Sequence, residues 1–132
     1  MTAVPKLEIV RDRDWLDELR TRRCLITGQR GHDGESVVGA HIGTTGKGWS
    51  KKCSDDECIP LLNRFHLRGH DTGEITNLRK LLPDEVLTSA FNLLEGAYGG
   101  DWTRETAPND VLREALRLYA KELYKSWKSV KD

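Results

Sequence analysis

The period of apolar positions changes several times along this chain, and each change marks an element. Residues 12–22 (DRDWLDELRTR) bring Trp15, Leu16 and Leu19 to one face among charged neighbours, at the spacing of a short amphipathic helix, with Asp12 or Asp14 placed to cap its start. Cys24 to Gly28 (CLITG) is short, apolar and closed by glycine, which suits a strand or a tight knuckle. A polar run, QRGHDGES, separates it from Val37-Val38-Gly39-Ala40-His41-Ile42, rich in β-formers and read as a strand. Residues 43–57 (GTTGKGWSKKCSDDE) read as a long loop, and loops of that length in a compact domain tend to be functional or unstructured. Cys58 to Leu62 is a further short strand, in which Pro60 points to an edge position. Asn63 can cap a helix that runs to about Thr72 and stops at Gly73.

Beyond that point the pattern is helical. Pro83 and Asp84 open a segment through about Ala97, with Val86, Leu87, Phe91 and Leu94 at helical spacing. Residues 98–107 form a linker, and Pro108 to about Ser129 is the longest helix, striped by Val111, Leu112, Ala115, Leu118, Tyr119 and Leu123. The stripe is read as core, and as the surface available to a homodimer or protein partner. The order of elements predicts a single α+β domain: an N-terminal helix, two short strands around a long loop, a helix, and two C-terminal helices over residues 83–130.

Charge changes this picture only locally. With 21 Lys+Arg against 21 Asp+Glu, the chain lacks the positive field that coats nucleic acid indiscriminately, although a basic face remains open to it. No apolar run approaches the roughly 18–20 residues of a membrane span. The opening residues MTAVPKLEIVRDRDW hold no apolar signal core, so a cytoplasmic location and no membrane partner are expected. Cys24, Cys53 and Cys58 are an odd set, which argues against a disulfide framework.

The chemistry concentrates in the histidines. His66 and His70, at i and i+4 on the predicted helix, put two imidazoles on one face with Cβ atoms about 6 Å apart, within reach of one cation. His41 ends the strand 25 residues earlier. Cys24-Leu-Ile-Thr-Gly, Ala40-His41-Ile42, Ser54-Asp55-Asp56-Glu57-Cys58-Ile59-Pro60-Leu61 and His66-Leu-Arg-Gly-His70-Asp-Thr-Gly-Glu74 together resemble the HNH, or ββα-metal, endonucleases, and in particular small phage proteins of that family. The resemblance covers residues 24–74. It departs from many members at Ala40, where they carry a further ligand, and at Leu62, where zinc-ribbon members carry a cysteine.

The resemblance implies a ββα-metal finger that hydrolyses DNA phosphodiester bonds. In it His41 is the general base, and His66 and His70 hold one divalent ion (Mg, Mn, Ni or Zn). Imidazole suits the base because its ordinary titration lies near neutrality. A carboxylate from the stretch Asp55-Asp56-Glu57 would orient His41, a role that many members give to an asparagine. Asp56 is the first choice and Asp55 the second. Lys47, Lys51, Lys52, Arg64 and Arg68 surround the motif and suit contacts to the phosphate backbone of DNA. Two alternatives stand beside this reading: an HNH relict that binds nucleic acid without turnover, and an interaction domain stabilised by zinc on cysteine and histidine.

Overall fold

The computed structural model describes residues 10–32, 34–42, 54–72 and 74–131, with the side chains of 68–72 and 74 outside the described set. Helix α1 (Arg13–Arg20) opens the described chain. Asp12 caps it by accepting from the Trp15 amide at 3.1 Å, and Trp15 and Leu19 form its buried face. The next apolar stretch, Cys24 to Gly28, is a tight knuckle and not a strand. The Gly28 amide returns to the Cys24 carbonyl at 2.8 Å, and Gly28 turns the chain with φ of 74°, a conformation that favours glycine.

Strands β1 (Val37–His41) and β2 (Cys58–Leu62) pair antiparallel, Val37 opposite Leu62 and His41 opposite Cys58. The ladder continues past both ends, from the Ile42 amide to the Glu57 carbonyl and from the Asn63 amide to the Ser36 carbonyl. Those bonds fix the phase of the ladder. Pro60, opposite Gly39, therefore falls at a site whose backbone nitrogen points away from β1, where proline removes no ladder bond. Its carbonyl points the same way and accepts from the Leu25 amide at 3.0 Å, which ties the knuckle to the outer side of β2.

All of β2 is buried, because helices cover both faces of this small sheet. On one face α1 lies so close over Gly39 that a Cβ there would stand 3.0 Å from Leu19 Cδ1. On the other, Ala40, Ile59 and Leu61 enter the main core, which is completed by the C-terminal helices. Helix α2 (Asn63–Thr72) packs on both strands. Its start is served by Glu35, whose carboxylate accepts from the Arg64 amide at 2.9 Å; Asn63, expected as the cap, is already within the helix.

Three helices follow α2, where two were expected. The additional one, α3 (Glu74–Leu81), sends Ile75 and Leu78 into the main core, joined just beyond its end by Leu82. Helix α4 (Asp84–Tyr98) contributes Val86, Leu87, Ala90, Phe91 and Leu94, and α5 (Asn109–Lys131) contributes Leu112, Ala115, Leu116 and Ala120. The expected α5 stripe is thus used inside the domain, with Val111, Leu118 and Tyr119 packed against the main core. Leu123 goes to a second cluster with Trp15, Leu19 and Cys58. The fold is α+β, and no helix among the described residues is long and apolar enough to cross a membrane.

Candidate active site

His41 is the last residue of β1, and its side chain is one-third exposed. Immediately before β2, residues Asp55–Glu57 form a single 3-10 turn. Three residues per turn rotate successive side chains by about 120°, so three adjacent carboxylates leave this turn in different directions. Asp55 faces His41, with Oδ1 3.2 Å from Nε2. Asp56, the first choice from the sequence, does not. Its Oδ1 accepts from the Ser54 hydroxyl at 2.5 Å and its Oδ2 from Lys121 Nζ at 3.3 Å. The place assigned to Asp56 beside the imidazole is therefore taken by Asp55. Glu57 turns to α5, where Arg117 Nη1 donates to its Oε2 at 3.0 Å.

Asp55 is held on every side. Its amide donates to the Val10 carbonyl at 2.9 Å, and its Oδ2 accepts from the Asp12 amide at 2.9 Å. Arg11 Nη1 lies 3.6 Å from Oδ1, the oxygen that faces His41. The carboxylate is 8% exposed, and burial this deep is tolerable because each oxygen has a donor. With the His41 proton on Nε2 toward this carboxylate, Nδ1 keeps its lone pair for an external proton.

Segment 10–12 reaches the turn because α1 runs over the sheet with its start near Asp55 and its Leu19 over Gly39. Asp12 adds a second tie, since its Oδ2 accepts from the Tyr124 hydroxyl at 2.8 Å with Lys128 Nζ 3.7 Å away. Burial works against its ionised form, but the bonds from Tyr124 and the Trp15 amide, with the charges of Lys128 and Lys131, hold the carboxyl below the usual carboxylate range. On α5, hydrogen bonds to Glu114 above all, and then to Glu57, outweigh burial and hold Arg117 still more firmly protonated than usual.

The other predicted residues distribute as follows. His66 lies on α2 and is partly buried, and α2 continues without a break through position 70, which puts His66 and His70 one helical turn apart. The His70 and Arg68 side chains and all of Lys47, Lys51 and Lys52 lie outside the described residues. Arg64 is exposed, 3.6 Å from Glu35 and stacked over Phe65. Cys24 and Cys58 are buried thiols packed as small apolar side chains in separate clusters, and Cys53 is outside the described residues. Among the described residues no three His, Cys, Asp or Glu side chains gather as a metal-binding group.

Arg11, Arg117 and Lys121 were not singled out by sequence reasoning; Asp12 was read only as a helix cap and Ser54 only as the start of the acidic stretch. No motif spacing links them to position 41. Their common feature is visible only in space, as partners of the turn 55–57 and its carboxylates.

Comparison of the chain with known families, with curated proteins and with solved structures finds no match.

Proposed function

We propose that this chain is a metal-dependent endonuclease of the HNH kind, built on a ββα-metal finger made of β1, the segment 42–57, β2 and α2, and that its substrate is DNA. The observation that carries the reading is the His41–Asp55 pair, a one-third-exposed imidazole backed by a buried carboxylate at the end of the first strand of the finger. Its support from the chain is the following helix, which bears His66 and His70 at i and i+4.

In this reading Asp55 accepts the Nε2 proton and fixes the tautomer of His41, so that Nδ1 faces the substrate as a base. Nδ1 takes a proton from water as that water's oxygen bonds to phosphorus, and the bond from phosphorus to the departing ester oxygen breaks. The resulting imidazolium is stabilised by Asp55. His66 and His70, at i and i+4 on α2, are the residues that would hold a divalent ion, imidazole being a suitable ligand for one. When bound there, such an ion supplies Lewis-acid neutralisation of the charge that builds on the phosphate.

The test is plasmid cleavage by the pure protein with Mg, Mn, Ni and Zn in turn, beside His41→Ala. Loss of the base is expected to cost roughly 10²–10⁴ in rate, the usual worth of general-base catalysis, so a variant within a few-fold of the parent would exclude His41. A parent protein that binds DNA yet cleaves with none of the four ions would overturn the nuclease reading in favour of a non-catalytic binding module.

A further inference from the structure

We infer that Arg117 and Lys121 of α5 are positioning residues for the general base, acting through the 3-10 turn that delivers Asp55 to His41; this rests on the nuclease reading for its catalytic meaning. Three consecutive carboxylates on one short turn repel each other, and a turn of three residues has little internal bonding to resist that repulsion. Cations from α5 compensate two of the three. Lys121 Nζ stands 3.3 Å from Asp56 Oδ2 and 3.5 Å from Glu57 Oε2, bridging both, while Arg117 donates to Glu57 at 3.0 Å.

Arg117 is itself fixed from behind by Glu114, through bonds of 2.8 and 2.6 Å, so the clamp presents a rigid guanidinium and not a wandering one. These groups are mostly buried, with side-chain exposures of 26% for Arg117, 30% for Lys121, 13% for Asp56 and 10% for Glu57. Solvent therefore screens them less than a surface pair. With Asp56 and Glu57 anchored to α5, the third carboxylate, Asp55, leaves the turn toward His41, where the Asp12 amide and Arg11 also meet it. Release of the clamp leaves Asp56 and Glu57 uncompensated beside Asp55, and the turn relaxes by rotating Oδ1 away from Nε2.

The consequence has a signature independent of cleavage. Asp55 fixes the proton of His41 on Nε2, so the two ring nitrogens of His41 should give distinct ¹⁵N shifts in NMR spectra of the intact parent protein, with Nε2 protonated. In Lys121→Met, and more strongly in the double variant Arg117→Met/Lys121→Met, that tautomer preference should weaken. Lys121→Arg should restore it, because it returns a cation of similar reach. Asp55→Asn serves as the reference for a reversed preference, with the proton moved to Nδ1.

With any metal that supports cleavage, kcat of Lys121→Met should fall by roughly tenfold, in the range typical of outer-shell partners, while KM stays within about twofold. Should the double variant fail to fold, Lys121→Met alone decides. Parental His41 ring shifts in a folded Lys121→Met protein would overturn the inference, as would a loss that Lys121→Arg does not repair. A parent that never cleaves would sink the nuclease reading, and the tautomer measurement would still judge the clamp.

Discussion

Asp55 divides its two oxygens between structure and chemistry, and replacements at this residue should separate the two. Oδ2 completes the backbone pairing of segment 10–12, and Oδ1 faces His41. In Asp55→Asn the amide oxygen can still accept from Asp12, but the amide nitrogen then points at His41 and favours the wrong tautomer. Cleavage should fall by roughly 10²–10⁴, as when the orienting acid of a catalytic triad is amidated, with the thermal midpoint nearly unchanged. Asp55→Ala should additionally lose about 1–3 kcal/mol of stability, because the partly buried Asp12 amide is left without its acceptor. Calorimetry beside a cleavage assay distinguishes the two variants, and an Asn variant that cleaves at the parental rate would remove Asp55 from the mechanism. The sequence made the candidates legible as a run of three acids after His41, but not the choice among them. That choice depends on a 3-10 turn and on partners at positions 10–12 and 117–121, none of which leaves a periodic trace in the residues themselves.

At the scale of elements, α1, α4 and α5 are legible from apolar positions at helical spacing, β1 and β2 from short apolar runs, and α2 from its bounds at Asn63 and Gly73. Helix α3 is not, although Ile75, Leu78 and Leu82 have helical spacing. It begins at Glu74, two residues after α2 ends at Thr72, so the sequence offers no run of turn residues to mark a second helix. The cap of α1 offers a test of its own. Asp12 has a folded-state pKa below its ordinary 3.8, despite burial, because of Tyr124, the Trp15 amide and the α5 lysines. A carboxyl depressed in the folded state stabilises fully above its unfolded pKa, and that contribution is lost as pH falls through the folded value. Asp12→Ala should therefore cost about 1–2 kcal/mol at pH 7, as N-cap losses do. The difference from the parent should narrow progressively below pH ~4, where the unfolded carboxyl takes up its proton first. Urea midpoints at pH 7, 5 and 3 measure this, and a gap of constant size would show that the ionised form contributes nothing.

Across the whole molecule, 21 Lys+Arg balance 21 Asp+Glu, and several of these charges pair with one another. Arg117, Lys121, Lys128 and Lys131 on α5 sit within 4.0 Å of Glu57, Asp56, Asp12 and Asp14. Arg117 and Lys121 are the more buried of these cations and are engaged within the domain, so on the proposed function the positive charge for DNA should come from elsewhere, and Lys51 and Lys52 are the proposed source. Neutralising both should weaken binding evenly across sequences and lower the slope of log K against log salt by about 2 units. An unchanged slope in a filter-binding series would place the DNA on another face.

The bond between Tyr124 and Asp12 joins positions 112 residues apart, and beside it Trp15 packs on Tyr124 and Trp127 at ring separations of 5.6 and 5.2 Å. Closing so long a stretch of chain is entropically costly and gains nothing until both ends are present. The hairpin and α2 can form early during synthesis, from neighbours in sequence, whereas the seat of Asp55 waits for α5 to leave the ribosome and dock on α1. On the proposed function, assembly in this order would carry the histidines through translation without the partner that aims them, and cutting would begin only once α5 has been made and docked.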